Sequence, residues 1–294
     1  MTKRSIAAAL IVVALGLGAV VVANLREKAP KTPVEPVSPT TNKMTHEVIG
    51  RSVEGRDITA YHYGTGNTEL LFVGGIHGGY EWNSVMLAYQ FMDYVERNPG
   101  VIPANIAVTV IPSANPDGVY NVVGKEGRFT KRDVSTEQRV LESGRFNARG
   151  VDLNRNFDCK WKPTSTWRSV TVSGGIKAFS EPEAAALRNF VLAHAPRAVI
   201  LWHSQANAVY PAECGGAILS ETRDLMEAYA RAAGYQALES FDAYDVTGAA
   251  DGWFASIGIP AITVELKTHE TIEWEQNLAG IRALFGYYGQ KRNP

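Results

Sequence analysis

The chain has 294 residues, 45% of them hydrophobic and 20% charged, with a formal net charge of -1. That balance suits a packed globular core in one large domain or two small ones. Near-neutral charge without a long basic run excludes a nucleic-acid partner.

The N-terminus departs from this average. Lys3 and Arg4 precede an apolar run from Ile6 to Ala23, 18 residues long, at the lower limit for a membrane-spanning helix. A secretory signal has the same basic start. The small residues Val21 and Ala23 suit cleavage, whereas the length of the run favours an uncleaved anchor. Residues 1–28 are therefore expected to export the rest of the chain, leaving it membrane-anchored or secreted, with Lys3 and Arg4 on the cytoplasmic side. Pro30, Pro33, Pro36 and Pro39 recur every third residue, as in an extended polyproline spacer. Residues 29–44 are read as that linker and 45–294 as one catalytic domain, expected to be a monomer. The two cysteines, Cys159 and Cys214, can pair once exported; two buried thiols are the alternative.

From Thr45 onward, apolar runs at Leu70 to Val73, Ile106 to Ile111, Ala198 to Trp202 and Ala261 to Leu266 read as buried strands. Helical spacing of apolar residues appears between them, at Ser84 to Arg97, Glu221 to Tyr235 and Ile272 to Tyr288. Ser180-Glu181-Pro182-Glu183 predicts a helix start, with Ser180 as cap and Glu183 as its capping-box partner. Strands alternating with helices indicate an α/β/α sandwich with a mixed, largely parallel sheet. Asn121 to Arg149 is polar, shows no clear period and reads as a long surface excursion.

Four segments place polar groups where strands end, the side on which open parallel sheets bind ligands. His77 and Glu81 come after the first apolar run in Gly74-Gly75-Ile76-His77-Gly78-Gly79-Tyr80-Glu81. An imidazole with a carboxylate suits zinc; the plainer reading is a loop histidine beside a solvated glutamate. Gly144 to Phe157 contains Arg145, Asp152, Asn154 and Arg155. His203 ends the third run. Glu265 sits inside the fourth, where an unpartnered carboxylate is costly and its raised pKa suits a general base.

In these motifs and their order the chain resembles the carboxypeptidase A-like zinc peptidases over roughly residues 45 to 290. The resemblance implies that His77, Glu81 and His203 hold one Zn2+, with a fourth position left for water. It implies that Asp152 orients His77, that Asn154 and Arg155 grip a terminal carboxylate, and that Glu265 is the general base and acid. Arg145, nine residues before Asn154 as in the regulatory carboxypeptidase branch, is expected to polarise the scissile carbonyl. Tyr244-Asp245-Val246-Thr247-Gly248-Ala249-Ala250-Asp251 is similar to the segment that opens with a substrate-capping tyrosine, which nominates Tyr244. Asp251 then falls at the base of the side-chain pocket, where an acid goes with basic terminal residues; capping the helix near Trp253 is the alternative. Asn115-Pro116-Asp117-Gly118 matches a family turn without catalytic duty. The family usually places two residues between its first His and Glu, and this chain has three.

The expected activity is zinc-dependent exopeptidase hydrolysis of C-terminal amide bonds. A cell-wall amidase cutting γ-D-glutamyl-diaminopimelate is the alternative, as some bacterial relatives do. An N-acyl amino acid deacylase and a non-catalytic exported binding module are further rivals on the same scaffold. Cys159 and Cys214 each come shortly after a site segment, so a bridge between them would lie near the site.

Overall fold

Strands covered on both faces must be apolar throughout, and the four apolar runs form the centre of the sheet. This computed structural model describes residues 44–290. Numbered along the chain, the central strands are β3 (Thr68–Val73), β4 (Ile106–Ile111), β7 (Ala198–Ser204) and β10 (Ala261–Leu266). They lie in the order β4-β3-β7-β10 and are parallel throughout. Antiparallel pairing adds β2 (Asp57–Tyr63) and β1 (Thr45–Arg51) at one edge. At the other edge β8 (Ala208–Pro211) runs antiparallel to β10, and β9 (Gln236–Ala237) parallel to β8. The result is an eight-stranded mixed sheet. A separate hairpin pairs β5 (Thr164–Trp167) with β6 (Val170–Ser173).

Side chains alternate between the two faces with period two. Leu70, Phe72, Ile200 and Trp202 pack against α1 (Trp82–Arg97), α5 (Ser220–Ala233) and α7 (Trp274–Gln290). Leu71, Val73, Val199 and Leu201 pack against α4 (Pro182–His194) and α6 (Ala250–Ser256). Two helix layers over one sheet make the expected α/β/α sandwich. Burying each such Leu, Ile or Phe contributes about 1.5–3 kcal/mol. A one-residue slip of β7 would exchange its faces at that cost and turn His203 into the opposite core.

Several details correct the sequence reading. The cap of α4 is Glu181, and no side chain caps it. Ser180 Oγ donates to Glu181 instead, and Glu183 accepts from the Val53 N–H at 3.0 Å and from Asn147, so the Ser180–Glu183 capping box does not form. Asn121 to Arg149 is more than an excursion. It takes in the end of α2 (Pro116–Val123) and all of α3 (Gln138–Ser143), then dives inward so that Arg145 is 2% exposed. Asn115-Pro116-Asp117-Gly118 is the start of α2: Asn115 Oδ1 accepts from the Gly118 N–H at 2.9 Å, and Pro116 occupies the first turn. Among the described residues no helix is long and apolar enough to cross a membrane. The expected anchor, and the linker up to residue 43, lie outside them.

Candidate metal centre

Beyond β3 the chain turns through Gly74 and Gly75, and His77 leads into a 3-10 turn, Gly78–Glu81. That turn accommodates the extra residue between the two side chains. Gly78 has φ +47°, and a Cβ there would lie 2.4 Å from the Gly144 carbonyl oxygen. A Cβ on Gly79 would lie 2.5 Å from Val122. Only glycine fits both the left-handed backbone and this approach. The turn leaves His77 Nδ1 2.6 Å from Glu81 Oε1.

His203 arrives from the carboxyl end of β7, on the face that carries Val199 and Leu201. Its Nδ1 lies 2.9 Å from Glu81 Oε2 and 3.2 Å from His77 Nδ1. The three donor atoms fall within 4.8 Å of one another, and all three residues are buried. Two imidazole nitrogens converging on a buried carboxylate are what a divalent cation satisfies, since a buried charge is stable only when paired or coordinated. Two nitrogens and one carboxylate match a catalytic zinc site that keeps one position open.

Asp152 stands behind His77, fully buried, with Oδ1 3.5 Å from His77 Nε2. That nitrogen makes no hydrogen bond that meets full geometry, so the carboxylate meets the ring through a long contact. Asp152 Oδ2 accepts from Arg145 Nε at 2.9 Å and pairs with Nη2 at 2.8 Å. Burial works against the Asp152 charge, yet Arg145 and Arg155 hold its carboxyl well below the usual range. Arg145 Nη1 is 3.9 Å from Glu81 Oε1, so the guanidinium borders the metal centre.

Glu265 on β10 pairs in register with His203 on β7. Parity along β10 puts Glu265 on the face of Ala261, which is the face of α6. The carboxylate accepts no hydrogen bond from the described residues. Burial, with the nearby charge of Glu81, pushes it up to about 7 against His203 and Arg145.

Two clefts meet here. One, of about 490 Å³, is lined by Asn154, Arg155, Asp251 and Thr263; the other, of about 500 Å³, by Tyr80, Trp167, Arg168 and His269. Both share His77, Arg145, Tyr244 and Glu265. Asn154 Oδ1 accepts from the Ala250 N–H at 2.9 Å, which ties it to the start of α6. Arg155 is buried, and its Nη1 and Nη2 donate to the carbonyls of Asn154 and Thr166 at 2.8 and 3.0 Å. Tyr244 is half-buried, its ring 4.9 Å from that of Phe241 and 5.9 Å from Arg155 Cζ. Asp251 lies in the first turn of α6, one residue past Ala250, while the cap position is Ala249. Burial raises its pKa. Cys159 and Cys214 form a disulfide with Cα atoms 5.8 Å apart, and Cys159 lines the first cleft.

Some functional neighbours are invisible in the sequence. Asn83 Nδ2 donates to the carbonyls of Thr268 and Thr271, which fixes its oxygen as an acceptor for Ser204 Oγ–H at 3.0 Å. Ser204 Oγ then accepts from His269 Nδ1 at 2.7 Å. The Ser204 N–H donates to Glu81 Oε2 at 3.2 Å, so this chain of bonds orients the ligand carboxylate. The β5–β6 hairpin likewise supports Arg155 through the Thr166 carbonyl. An Asn-Ser-His set scattered along the chain carries no motif, and only its contacts disclose it.

Residues 38–279 match the zinc carboxypeptidase model of peptidase family M14. Among relatives, γ-D-glutamyl-L-diamino acid endopeptidase 1 of Lysinibacillus sphaericus is 25% identical over 74% of this chain and 59% of its own length. Carboxypeptidase B of Helicoverpa zea is 27% identical over 74% of this chain and 55% of its own length. The chain thus spans little more than half the length of these two relatives. Among solved structures, murein-tripeptide amidase MpaA from Escherichia coli O157 superposes with a TM-score of 0.58 and 22% identity, over 85% of this chain and 93% of that one. Bovine thrombin-activatable fibrinolysis inhibitor, in complex with tick carboxypeptidase inhibitor, gives 0.64 and 20%, over 84% and 88%. These last two likenesses share the fold. With the family model covering most of the chain and His77, Glu81 and His203 forming the zinc site, the chain belongs to the zinc carboxypeptidase family.

Proposed function

We propose that the chain is a zinc-dependent exopeptidase that removes C-terminal residues with cationic side chains. The observation that carries this reading is Asp251. Apart from Glu265, which faces the metal centre, the other acids of the same cleft have cations: Glu213 pairs with Lys160 at 3.6 Å, Asp245 with Lys162 at 3.6 Å and Glu239 with Arg223 at 3.1 Å. Asp251 pairs with none among the described residues, and burial already disfavours its charge. An incoming ammonium or guanidinium would supply the missing partner through a charge-assisted bond.

In this reading Arg155 and Asn154 receive the terminal carboxylate, a task that suits a guanidinium held in place by two carbonyls. A bound Zn2+ would supply Lewis acidity and lower the pKa of a coordinated water to about 7. Glu265, raised into the same range, takes a proton from the attacking water and returns it to the leaving amine. Arg145 offers fixed positive charge to the developing oxyanion, where such charge is most effective. Tyr244, which lines both clefts, would cover the bound residue. The apolar segment from Ile6 to Ala23 would place this activity outside the cytoplasm.

A second reading is an amidase that cuts between γ-D-glutamate and a diamino acid. The relative from L. sphaericus favours it by name, and a diamino acid presents the same ammonium to Asp251. A kinetic ranking tests both: wild type and Asp251→Ala are compared on peptides ending in Lys, Arg, diaminopimelate, Ala and Leu. The expected result is a wild-type preference for cationic ends that the variant loses by roughly tenfold or more, the loss of one charge-assisted contact. An unchanged ranking would remove Asp251 from the pocket's specificity.

A further inference from the structure

The second cleft lies across the metal centre from Arg155 and Asp251, so it receives the acyl part of the substrate if the first receives the leaving residue. Its distinctive wall is the β5–β6 hairpin. A two-residue loop, Arg168-Ser169, joins the strands, and Arg168 holds φ +54°, a conformation uncommon for a long side chain. A positive φ at the first position of a two-residue hairpin loop is what the tight turn requires, so the turn fixes where this side chain leaves the backbone. The surroundings here are firm. Trp167 packs edge-on to Tyr80 at 5.1 Å and beside Phe146 at 6.2 Å. Arg145 Cζ sits 4.7 Å from the Trp167 ring, and Thr247 Oγ1 donates to Ser165 Oγ at 2.9 Å.

Arg168 itself has no acid within ion-pair distance among the described residues. Its guanidinium lies beside Trp167, with Cζ 5.5 Å from the ring, and its charge is felt at both Tyr80 and His269. Of the other charged groups on this cleft, Arg145 is paired with Asp152, Glu81 belongs to the metal site, and Glu265 is the base of the reading above. Asp242 is exposed and makes no ion pair with Arg168. The acyl cleft therefore presents one unpaired guanidinium.

We propose that Arg168 is a specificity residue that binds a carboxylate on the acyl side of the scissile bond. The preferred substrate then carries an acid just before that bond and a cation just after it. This rests on the exopeptidase reading above. Two kinds of acyl residue supply such an anion: α-linked glutamate through its side chain, and γ-linked glutamate through its free α-carboxylate. The second is the junction that the amidase reading requires.

The test uses the zinc-loaded full chain and matched substrate pairs ending in Lys, diaminopimelate or the neutral Leu. Each pair has Glu or its neutral amide before the scissile bond, in α- and in γ-linkage. Arg168 is exposed, so wild type should prefer the acid by up to roughly fivefold in kcat/KM in at least one linkage, the size of one exposed ion pair. The preferred linkage identifies the source of the anion. Arg168→Asn removes the guanidinium while keeping a residue that tolerates this backbone, and should bring the acid-to-amide ratio to near one. Arg168→Lys should keep part of it. A purely structural role would lower both members of a pair alike and leave the ratio unmoved. Equal rates for acid and amide in wild type, or a ratio unchanged in Arg168→Asn, would overturn the proposal. Loss of the preference for cationic ends with the acid preference intact would instead count against the Asp251 reading alone.

Discussion

Two carboxylates within the site are driven to opposite states by their surroundings. Asp152 is held charged by Arg145 and Arg155 against its burial, whereas burial and then the nearby charge of Glu81 push Glu265 up to about 7. Charge retained at Asp152 suits orienting a ligand histidine, and a proton that comes and goes suits a base. Glu265→Gln should therefore keep stoichiometric zinc and substrate binding while kcat falls by about 10²–10⁴-fold, the usual contribution of a positioned acid-base group. Steady-state kinetics with metal analysis check this, and near-normal turnover would remove Glu265 from the chemistry. Asp152→Asn should act on the metal instead. The amide keeps the shape but not the charge behind His77, so zinc affinity should fall about 10–100-fold, as read by competition with a chromophoric chelator. An unchanged affinity would contradict the orienting role.

At the scale of elements, the turn Gly78–Glu81 shows how sequence spacing and geometry meet. Three residues between His77 and Glu81 depart from the family's usual two, and the 3-10 turn still brings Nδ1 within 2.6 Å of the carboxylate. Gly78→Ala would put a methyl against the Gly144 carbonyl next to Arg145, so it should lower both thermal stability and zinc content. A variant with full zinc and an unshifted Tm would show that the turn has slack. The disulfide crosses 55 residues of chain, which corresponds to about 4 kcal/mol in the chain-entropy model. The Cys159→Ser/Cys214→Ser double variant should lose stability of that order in urea titrations, and an unchanged midpoint would deny the bridge a structural role. Elements differ in how legible they are from sequence alone. β4 and β10 are readable to the residue because both of their faces are buried. β5, with the pattern exposed, half-buried, half-buried, buried, offers no such run. His77, Glu81, His203 and Glu265 stand out as polar groups within or soon after apolar strands. Asn83, Ser204 and His269 do not, since their bonds join residues 121 and 65 positions apart.

Over the molecule as a whole, one face of the sheet does two jobs. Val199, Leu201 and Ala261 pack under α4 and α6, and the same face continues along these strands to His203 on β7 and, past Thr263, to Glu265 on β10. The core that stabilises the sandwich is therefore continuous with the platform that aims the ligands, and metal binding should be felt by the entire fold. The measurement that bears most directly on the central claim is a zinc titration of chelator-stripped protein, monitored through hydrolysis of a peptide with a free C-terminal lysine. The account predicts that activity is absent without metal, rises linearly with added zinc and levels at one equivalent per chain. Full activity in the stripped protein, or none at one equivalent of bound zinc, would contradict it.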